Sequence, residues 1–300
     1  MSRFFIGTAG WSYKDWEGIV YPLEKGASFH PLIFLSRYIN FIEINSTFYR
    51  PPALRMSLSW VKRIDTHPEF LFSIKLHQVF THQRKDFTQK DADNFKFGIE
   101  SLRTKQRLGA ILIQFPWSFA GTEANRDYLV KIFSLFSGYP LALEVRHLSW
   151  QNPRFFAFLS EHNVCFCNID QPLIGQSIKP TAVVTHKDFS YVRLHGRNYK
   201  NWFRKDAGRD ERYDYLYTKQ ELDEWVERIK ELEKNSQKVY IVTNNHYRGQ
   251  AMANALQLKN MITGEKLNIP GSLLQKYPVL EEIVRQSAEG QLDLFKKKTG

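Results

Sequence analysis

The strongest constraint on the fold is an alternation of short apolar runs with longer amphipathic segments, which occurs eight times along the chain. The runs are rich in Ile, Val, Leu and Phe with little polar alternation, as in parallel strands buried on both faces. They occupy residues 4–7, 41–45, 70–75, 110–115, 141–145, 164–168, 191–194 and 239–243. Eight strand–helix units predict an α/β fold, a single closed (β/α)8 barrel of the TIM type.

The segments between these runs carry apolar residues three or four positions apart, which is typical of helices. The clearest stripe consists of Leu222, Trp225, Val226, Ile229 and Leu232. Thr218 precedes it and Glu221 follows three residues later, which predicts a capping box at the start of this helix. Residues 171–188 show no helical pattern, and residues 196–217 form a long loop rich in Arg, Tyr and Gly, so we expect both to be functional or mobile.

Domain organisation and charge limit the classes of protein. No linker suggests a second domain, so we expect a barrel over residues 1–286 and a flexible tail over residues 287–300. The net charge of +11 favours a polyanionic partner such as nucleic acid. No stretch approaches the ~20 apolar residues of a membrane span, and the first residues lack the apolar run of a signal peptide. We therefore expect a cytoplasmic protein with no membrane partner.

Two cysteines lie in the sixth predicted strand. Cys165 and Cys167 are two positions apart and therefore on one face, where a disulfide between them would be strained. Two thiols alone are also too few for a structural zinc site. We expect both to be small buried hydrophobic residues.

Polar side chains follow the predicted strands, at the rim where parallel barrels hold their active sites. The candidate catalytic residues are Glu43, Lys75, Glu144, Arg193, His195 and His246. Those that could hold a divalent metal for phosphodiester hydrolysis are Glu43, Glu144, Asp170 and His246. A competing interpretation pairs Glu43 with Lys75, and Glu144 with Arg193, as buried ion pairs. A metal-free acid–base site, with Glu144 and either Lys75 or His195 in those roles, is the third interpretation.

Aromatic and basic residues share the same rim. The candidate substrate- or phosphate-binding residues are Trp11, Tyr13, Arg146, Arg197, Trp202, Asn244, Asn245 and Arg248. Cations that could line a channel for a nucleic-acid strand are Arg197, Lys200, Arg204, Lys205 and Arg248. Stacking faces combined with cations fit single-stranded or extruded bases. A small phosphorylated or sugar-like ligand would use the same walls, and some of the rings could simply pack the loops.

Five segments in order resemble the YecE-like family, also called domain of unknown function 72. They are residues 7–11 (GTAGW), 43–49 (EINSTFY), 143–146 (LEVR), 191–196 (YVRLHG) and 244–246 (NNH). The resemblance spans roughly residues 4 to 260. It implies a TIM-type barrel with no established activity. In architecture alone, the family is similar to metal-dependent barrels of the endonuclease IV type.

The last ten residues contain a second resemblance. Residues Gln291, Leu292, Asp293, Leu294 and Phe295 resemble the peptide by which bacterial DNA polymerases and mismatch-repair proteins bind the sliding clamp. Such a peptide places its Leu and Phe side chains in an apolar groove and orients itself by hydrogen bonds. The alternative is a final amphipathic turn that docks on the barrel. The resemblance implies a role in DNA replication or repair.

These observations predict a nucleic-acid-acting protein of DNA repair or replication, such as a phosphodiester hydrolase or lyase recruited by the sliding clamp. One alternative is a non-catalytic barrel that binds DNA or RNA in association with the clamp. Another is an isomerase or hydrolase of a small sugar- or phosphate-containing ligand. Whether the protein is an enzyme, and whether it uses a divalent metal, separates these hypotheses.

Overall fold

The computed structural model describes residues 3–204 and 206–285. Within them, eight parallel strands form a closed barrel in chain order, and the last strand pairs with the first. The strands are β1 (Phe4–Ala9), β2 (Phe41–Ile44), β3 (Leu71–Lys75), β4 (Leu108–Gln114), β5 (Leu141–Glu144), β6 (Val164–Asp170), β7 (Phe189–Leu194) and β8 (Lys238–Thr243). The predicted (β/α)8 barrel is confirmed, and each predicted strand lies within one or two residues of an observed one.

Aromatic rings fill the lower half of the barrel interior. The rings of Phe41 and Tyr240 stack with their centroids 4.9 Å apart. Tyr191 packs edge-on against both, and its hydroxyl lies 2.6 Å from the hydroxyl of Ser73. Because large side chains occupy this layer, the polar residues above it rest on a closed floor.

Helices surround the barrel, and the longer ones bury one face against it. They are α1 (Pro31–Leu35), α2 (Ser46–Tyr49), α3 (Leu54–Arg63), α4 (Gln89–Thr104), α5 (Glu123–Leu135), α6 (Pro153–Glu161), α7 (Arg209–Arg212), α8 (Lys219–Asn235), α9 (Gln250–Thr263) and α10 (Gly271–Lys276). The predicted capping box opens α8: Thr218 and Glu221 exchange side-chain and backbone hydrogen bonds. The apolar stripe predicted for α8 is buried along its whole length.

The two long loops behave differently. Residues 171–188 contain no helix, as predicted. Hydrogen bonds hold this loop against the barrel; for example, the side chain of Asn168 in β6 donates to the Val183 carbonyl at 3.0 Å. The loop after β7 contains the short helix α7, which the sequence pattern did not indicate. Asn198 ties this loop together by donating to the carbonyls of Glu211 and Asp214 at 2.9 and 3.0 Å. The loop thereby forms a wall above the rim.

Three further expectations concern burial and the chain ends. Cys165 and Cys167 are buried free thiols, as predicted. In the described ranges, no helix has the length and apolar character needed to cross a membrane. The proposed clamp-binding residues 291–295 lie outside the described residues, so that hypothesis stays a prediction.

Candidate functional site

A cavity of about 570 Å³ opens at the carboxyl ends of the strands. Its polar lining includes Asn45, Lys75, Gln114, Arg146, Arg193 and Asn244. Its aromatic lining includes Tyr13, Phe48, Tyr49, Trp117, Trp202 and Tyr213. A cavity of about 590 Å³ lies at the opposite end, near the starts of β4, β5, β7 and β8. Since parallel barrels hold their active sites at the carboxyl rim, the first cavity is the candidate site.

Arg193 lies at the floor of this cavity between two buried carboxylates. Its Nε and Nη2 donate to the carboxylate of Glu43 at 2.9 and 2.6 Å, a bidentate pair. Its Nη1 donates to Glu144. The hydroxyl of Tyr191 completes the set by donating to Glu43 at 2.9 Å. Both carboxylates are fully buried, and removal of this single guanidinium would take from Glu43 its one salt-bridge partner among the described residues.

Glu144 is held by a second arginine as well. Arg146 Nε donates to Glu144 Oε1 at 2.8 Å, and its guanidinium lies 5.5 Å from the centroid of the Trp202 ring. Burial by itself would raise the pKa of Glu144, but Arg193 and Arg146 hold that pKa well below its usual range. Glu144 is therefore an ionised hydrogen-bond acceptor at neutral pH, unsuited to donate a proton.

His195 supports this arrangement from beneath the lining. Asn244 Nδ2 lies 2.9 Å from His195 Nδ1, which assigns the ring proton to Nε2, 3.3 Å from Glu144 Oε1. Burial, reinforced by the two neighbouring guanidinium groups and opposed by Glu144, lowers the pKa of His195 to about 3. The ring is therefore neutral, and its geometry is that of a group which orients Glu144.

Lys75 projects into the cavity from the carboxyl end of β3. Its Nζ lies 4.2 Å from the centroid of the Phe48 ring. In the described part of the chain Lys75 makes no salt bridge, because Glu43 is occupied by Arg193. The predicted Glu43–Lys75 ion pair is therefore wrong, whereas the Glu144–Arg193 ion pair of the same interpretation is present.

The electrostatic surroundings of Lys75 disfavour its charged form. Burial is the largest cause and Arg193 the next, and together they lower the pKa of Lys75 to about 7. Glu144 and Glu43 act in the opposite direction but do not offset them. At neutral pH the uncharged amine is therefore far more accessible than in an ordinary lysine. An uncharged lysine amine can act as a base or as a nucleophile.

The residues proposed to hold a metal do not converge. The carboxylates of Glu43 and Glu144 are occupied by arginine, and Asp170 instead binds Arg197 at 2.9 Å. His246 lies on another wall of the cavity. No three His, Cys, Asp or Glu side chains among residues 3–204 and 206–285 form a group that could hold a metal ion. This donor set does not fit a divalent metal, because each carboxylate already neutralises a guanidinium.

Five of the other predicted site residues face the cavity: Tyr13, Arg146, Trp202, Asn244 and His246. The rings of Tyr13 and His246 stack with their centroids 4.5 Å apart, and they form one wall. Trp202, which the loop after β7 carries, also lines the cavity and packs edge-on against Tyr213, whose ring centroid lies 5.3 Å from that of His246. The site thus combines side chains from both ends of the chain.

Arg197 lies outside the lining of the cavity. Its guanidinium binds Asp170 at 2.9 and 3.2 Å and reaches Glu221 at 3.3 Å. Three acidic side chains, Glu224 included, surround it. Arg197 therefore anchors the loop after β7 to helix α8, and its charge is not directed to a ligand.

Three further predicted ligand-binding residues also serve local structure. Trp11 packs edge-on against a tryptophan of α3, with ring centroids 6.2 Å apart. The Asn245 amide donates to the Tyr215 carbonyl and to an asparagine of α9 at 2.7 and 2.8 Å. The Arg248 backbone N–H donates to Asp15 at 2.6 Å. The structure therefore does not bring these three side chains into the cavity lining.

Some lining residues lay outside the predicted set: Asn45, Gln78, His82, Gln114, Arg212 and Tyr213. His82 lies on a π-helical turn, Val79–Gln83, where burial and the cations Lys75 and Arg146 lower its pKa to about 4. Such turns often mark functional sites, but periodicity does not reveal them. Arg212 belongs to the loop after β7, whose conformation depends on tertiary contacts.

Comparison with known proteins gives consistent matches over most of the chain. The family model described as "Protein of unknown function DUF72" matches residues 5–277. The UPF0759 protein YunF of Bacillus subtilis (strain 168) is 32% identical over 275 residues, which cover 86% of this chain and 94% of that protein. A DUF72 family crystal structure from Thermotoga maritima is 35% identical, with a TM-score of 0.76 and coverage of 87% and 99%. One from Enterococcus faecalis is 25% identical, with a TM-score of 0.76 and coverage of 86% and 95%.

Proposed function

The chain belongs to the DUF72 family of proteins of unknown function, and we propose that its rim cavity binds a small anionic ligand such as a sugar phosphate or a nucleotide. The balance of charge carries this proposal. Arg193 and Arg146 offset Glu43 and Glu144, the guanidinium of Arg212 adds a further positive charge to the same cavity, and Lys75 adds an amine whose pKa is about 7. A concave site with a surplus of cations favours a phosphate or carboxylate group.

The walls support a ligand with a ring as well as a charge. Aromatic faces alternate with amides around the cavity, and the volume of about 570 Å³ is in the range of small-ligand sites. The side-chain oxygen of Asn45 is buried and accepts no hydrogen bond from a described residue. A hydroxyl of a bound sugar would satisfy this acceptor.

Calorimetric titration with ribose 5-phosphate, AMP and inorganic phosphate tests the proposal. We expect saturable binding of the first two. Lys75→Met should weaken it about tenfold or more, because a hydrogen bond to a charged group contributes about 1.5–3 kcal/mol. Lys219→Met, on the exposed face of α8, is the matched control and should bind as the parent does. Folded protein that binds neither organic phosphate would overturn the proposal.

A nucleotide within a nucleic-acid strand is a second candidate ligand. Two aromatic side chains of the cavity lining are unusually exposed, Tyr49 by 68% and Phe203 by 46%, and Tyr199 of the loop after β7 is exposed by 53%. Bases that flank an extruded nucleotide could stack on them. Recruitment through residues 291–295 by the sliding clamp is part of this second hypothesis. A pull-down on the clamp with the full chain and with a chain that ends at residue 289 tests it, and equal retention of both would contradict it.

A further inference from the structure

The position of Lys75 indicates a chemistry for the proposed ligand. We infer that Lys75 is a nucleophile that forms an imine with the aldehyde or ketone carbon of a phosphorylated sugar. This inference rests on the proposed function and adds a reaction to it. The substrate must therefore carry a free aldehyde or ketone group on its sugar. A nucleotide with an intact glycosidic bond has no such group and falls outside this inference.

The contacts around Lys75 isolate its amine. The acceptors that would normally bind a lysine ammonium, Glu43 and Glu144, are both occupied by Arg193. Among the described residues, the ring face of Phe48 lies close to the amine, with its centroid 4.2 Å from Nζ. Lys75 is half-buried and lines the cavity, so a ligand can reach its amine.

The titratable groups that face Lys75 act on its amine in opposite directions: Arg193 and Arg146 favour the uncharged form, whereas Glu144 and Glu43 favour the ammonium. His82 also faces Lys75, and its own pKa is lowered to about 4. Burial and the nearest guanidinium hold the pKa of Lys75 at about 7. Glu144 is ionised and His195 is neutral, so neither can protonate a leaving group at neutral pH. Nucleophilic attack by Lys75 requires no acid of that kind in its first step.

The proposed step balances without an oxidant or a reductant. The lone pair of Lys75 Nζ forms a C–N bond with the carbonyl carbon, and the carbonyl electrons move to the oxygen, which is protonated. The nitrogen loses one proton, and the hydroxyl leaves as water after a second protonation. The sum consumes amine, carbonyl compound and one proton from solvent, and it yields a protonated imine and water.

Reductive trapping tests the inference. The full chain is incubated with ribose 5-phosphate and sodium cyanoborohydride, and intact mass and peptide mapping locate any adduct. We expect one reduced sugar phosphate on the peptide that contains Lys75, and none in Lys75→Met or Lys75→Arg. Lys219→Met should be trapped as the parent is. An adduct spread over exposed lysines, or an undiminished adduct in Lys75→Met, would overturn the inference.

Sorbitol 6-phosphate, which has no carbonyl group, separates this inference from the proposed function. We expect it to bind, to compete with trapping, and to form no adduct itself. If it binds but ribose 5-phosphate is never trapped, the imine is refuted while the proposed ligand class stands. If the folded protein binds neither of these compounds nor AMP, the proposed function itself is refuted.

Discussion

Single residues at the rim show how buried charges determine the available chemistry. Arg193 binds both Glu43 and Glu144, which makes these carboxylates poor ligands for a metal and holds the pKa of Glu144 well below its usual range. The same pairing leaves Lys75 without an acidic partner among the described residues. The guanidinium of Arg193 therefore determines the ion pairing of three other side chains, because a buried charge must be compensated at close range.

His195 makes a pH-dependent contribution to stability that can be measured. The pKa of His195 is 6.5 in the unfolded chain, which is the ordinary value of a histidine, and about 3 in the folded protein. Between these values the unfolded state binds a proton that the folded state excludes, so stability falls as the pH falls. One such proton changes the free energy of unfolding by about 1.4 kcal/mol per pH unit.

Urea denaturation of His195→Gln at pH 6.5, 5.5 and 4.5 tests this contribution. A glutamine amide can still donate to Glu144 and accept from Asn244, but it does not titrate. We expect the free energy of unfolding of His195→Gln to fall less steeply with decreasing pH than that of the parent, by up to about 1.4 kcal/mol per pH unit. Other titrating groups should leave a residual dependence on pH. The surface variant His67→Gln should follow the parent. Parallel curves for parent and His195→Gln would contradict the assignment.

At the scale of elements, close backbone contacts hold the helices against their neighbours. Gly98 lies in the middle of α4, where a glycine normally weakens a helix by up to about 1 kcal/mol relative to alanine. A Cβ at this position would lie 2.0 Å from the carbonyl oxygen of Pro52. The glycine is therefore required by the contact between α4 and the segment that precedes α3.

We expect Gly98→Ala to lower the free energy of unfolding by about 1–3 kcal/mol, because overpacking outweighs the gain in helix propensity. Denaturant unfolding measures this difference. Gly26→Ala is the matched control: nothing lies within 4 Å of its Cβ, so the change should be within about 0.5 kcal/mol. A Gly98→Ala variant more stable than the parent would show that α4 can move away from Pro52.

For the whole molecule, the net charge of +11 is less available to a nucleic-acid strand than the sequence suggests. Arg197 is bound by Asp170, and Arg204 pairs with Asp206 at 3.0 Å and with Glu211 at 3.1 Å. Lys205 lies outside the described residues. Of the five cations predicted to line a strand-binding channel, two are thus committed to acidic neighbours.

Salt dependence of binding to a single-stranded oligonucleotide tests the consequence. Three phosphate contacts, at ~0.7 each, give a slope of log affinity against log salt of about −2.1, whereas five contacts give about −3.5. We expect a value near the first, and no change in slope for Arg204→Ala. A slope near −3.5 that falls by one contact in Arg204→Ala would instead support a strand-binding channel.

The sequence by itself determined the barrel, because hydrophobic periodicity and cap residues act locally along the chain. The eight apolar runs, the capping box at Thr218 and the rim position of Lys75 and Arg193 all follow from patterns within a few residues. It also identified the chemical types at the rim. Five short segments were sufficient to indicate the DUF72 family, which the comparisons confirm.

Only the tertiary structure decided which charges pair. Glu43 and Arg193 are 150 positions apart, and no local pattern distinguishes Arg193 from Lys75 as the partner of Glu43. The same holds for Arg197, which the fold directs to Asp170 and α8 instead of the cavity. Long side chains at a crowded rim can reach several partners, and the choice depends on ångström-scale distances and on burial, which exist only once the barrel has closed.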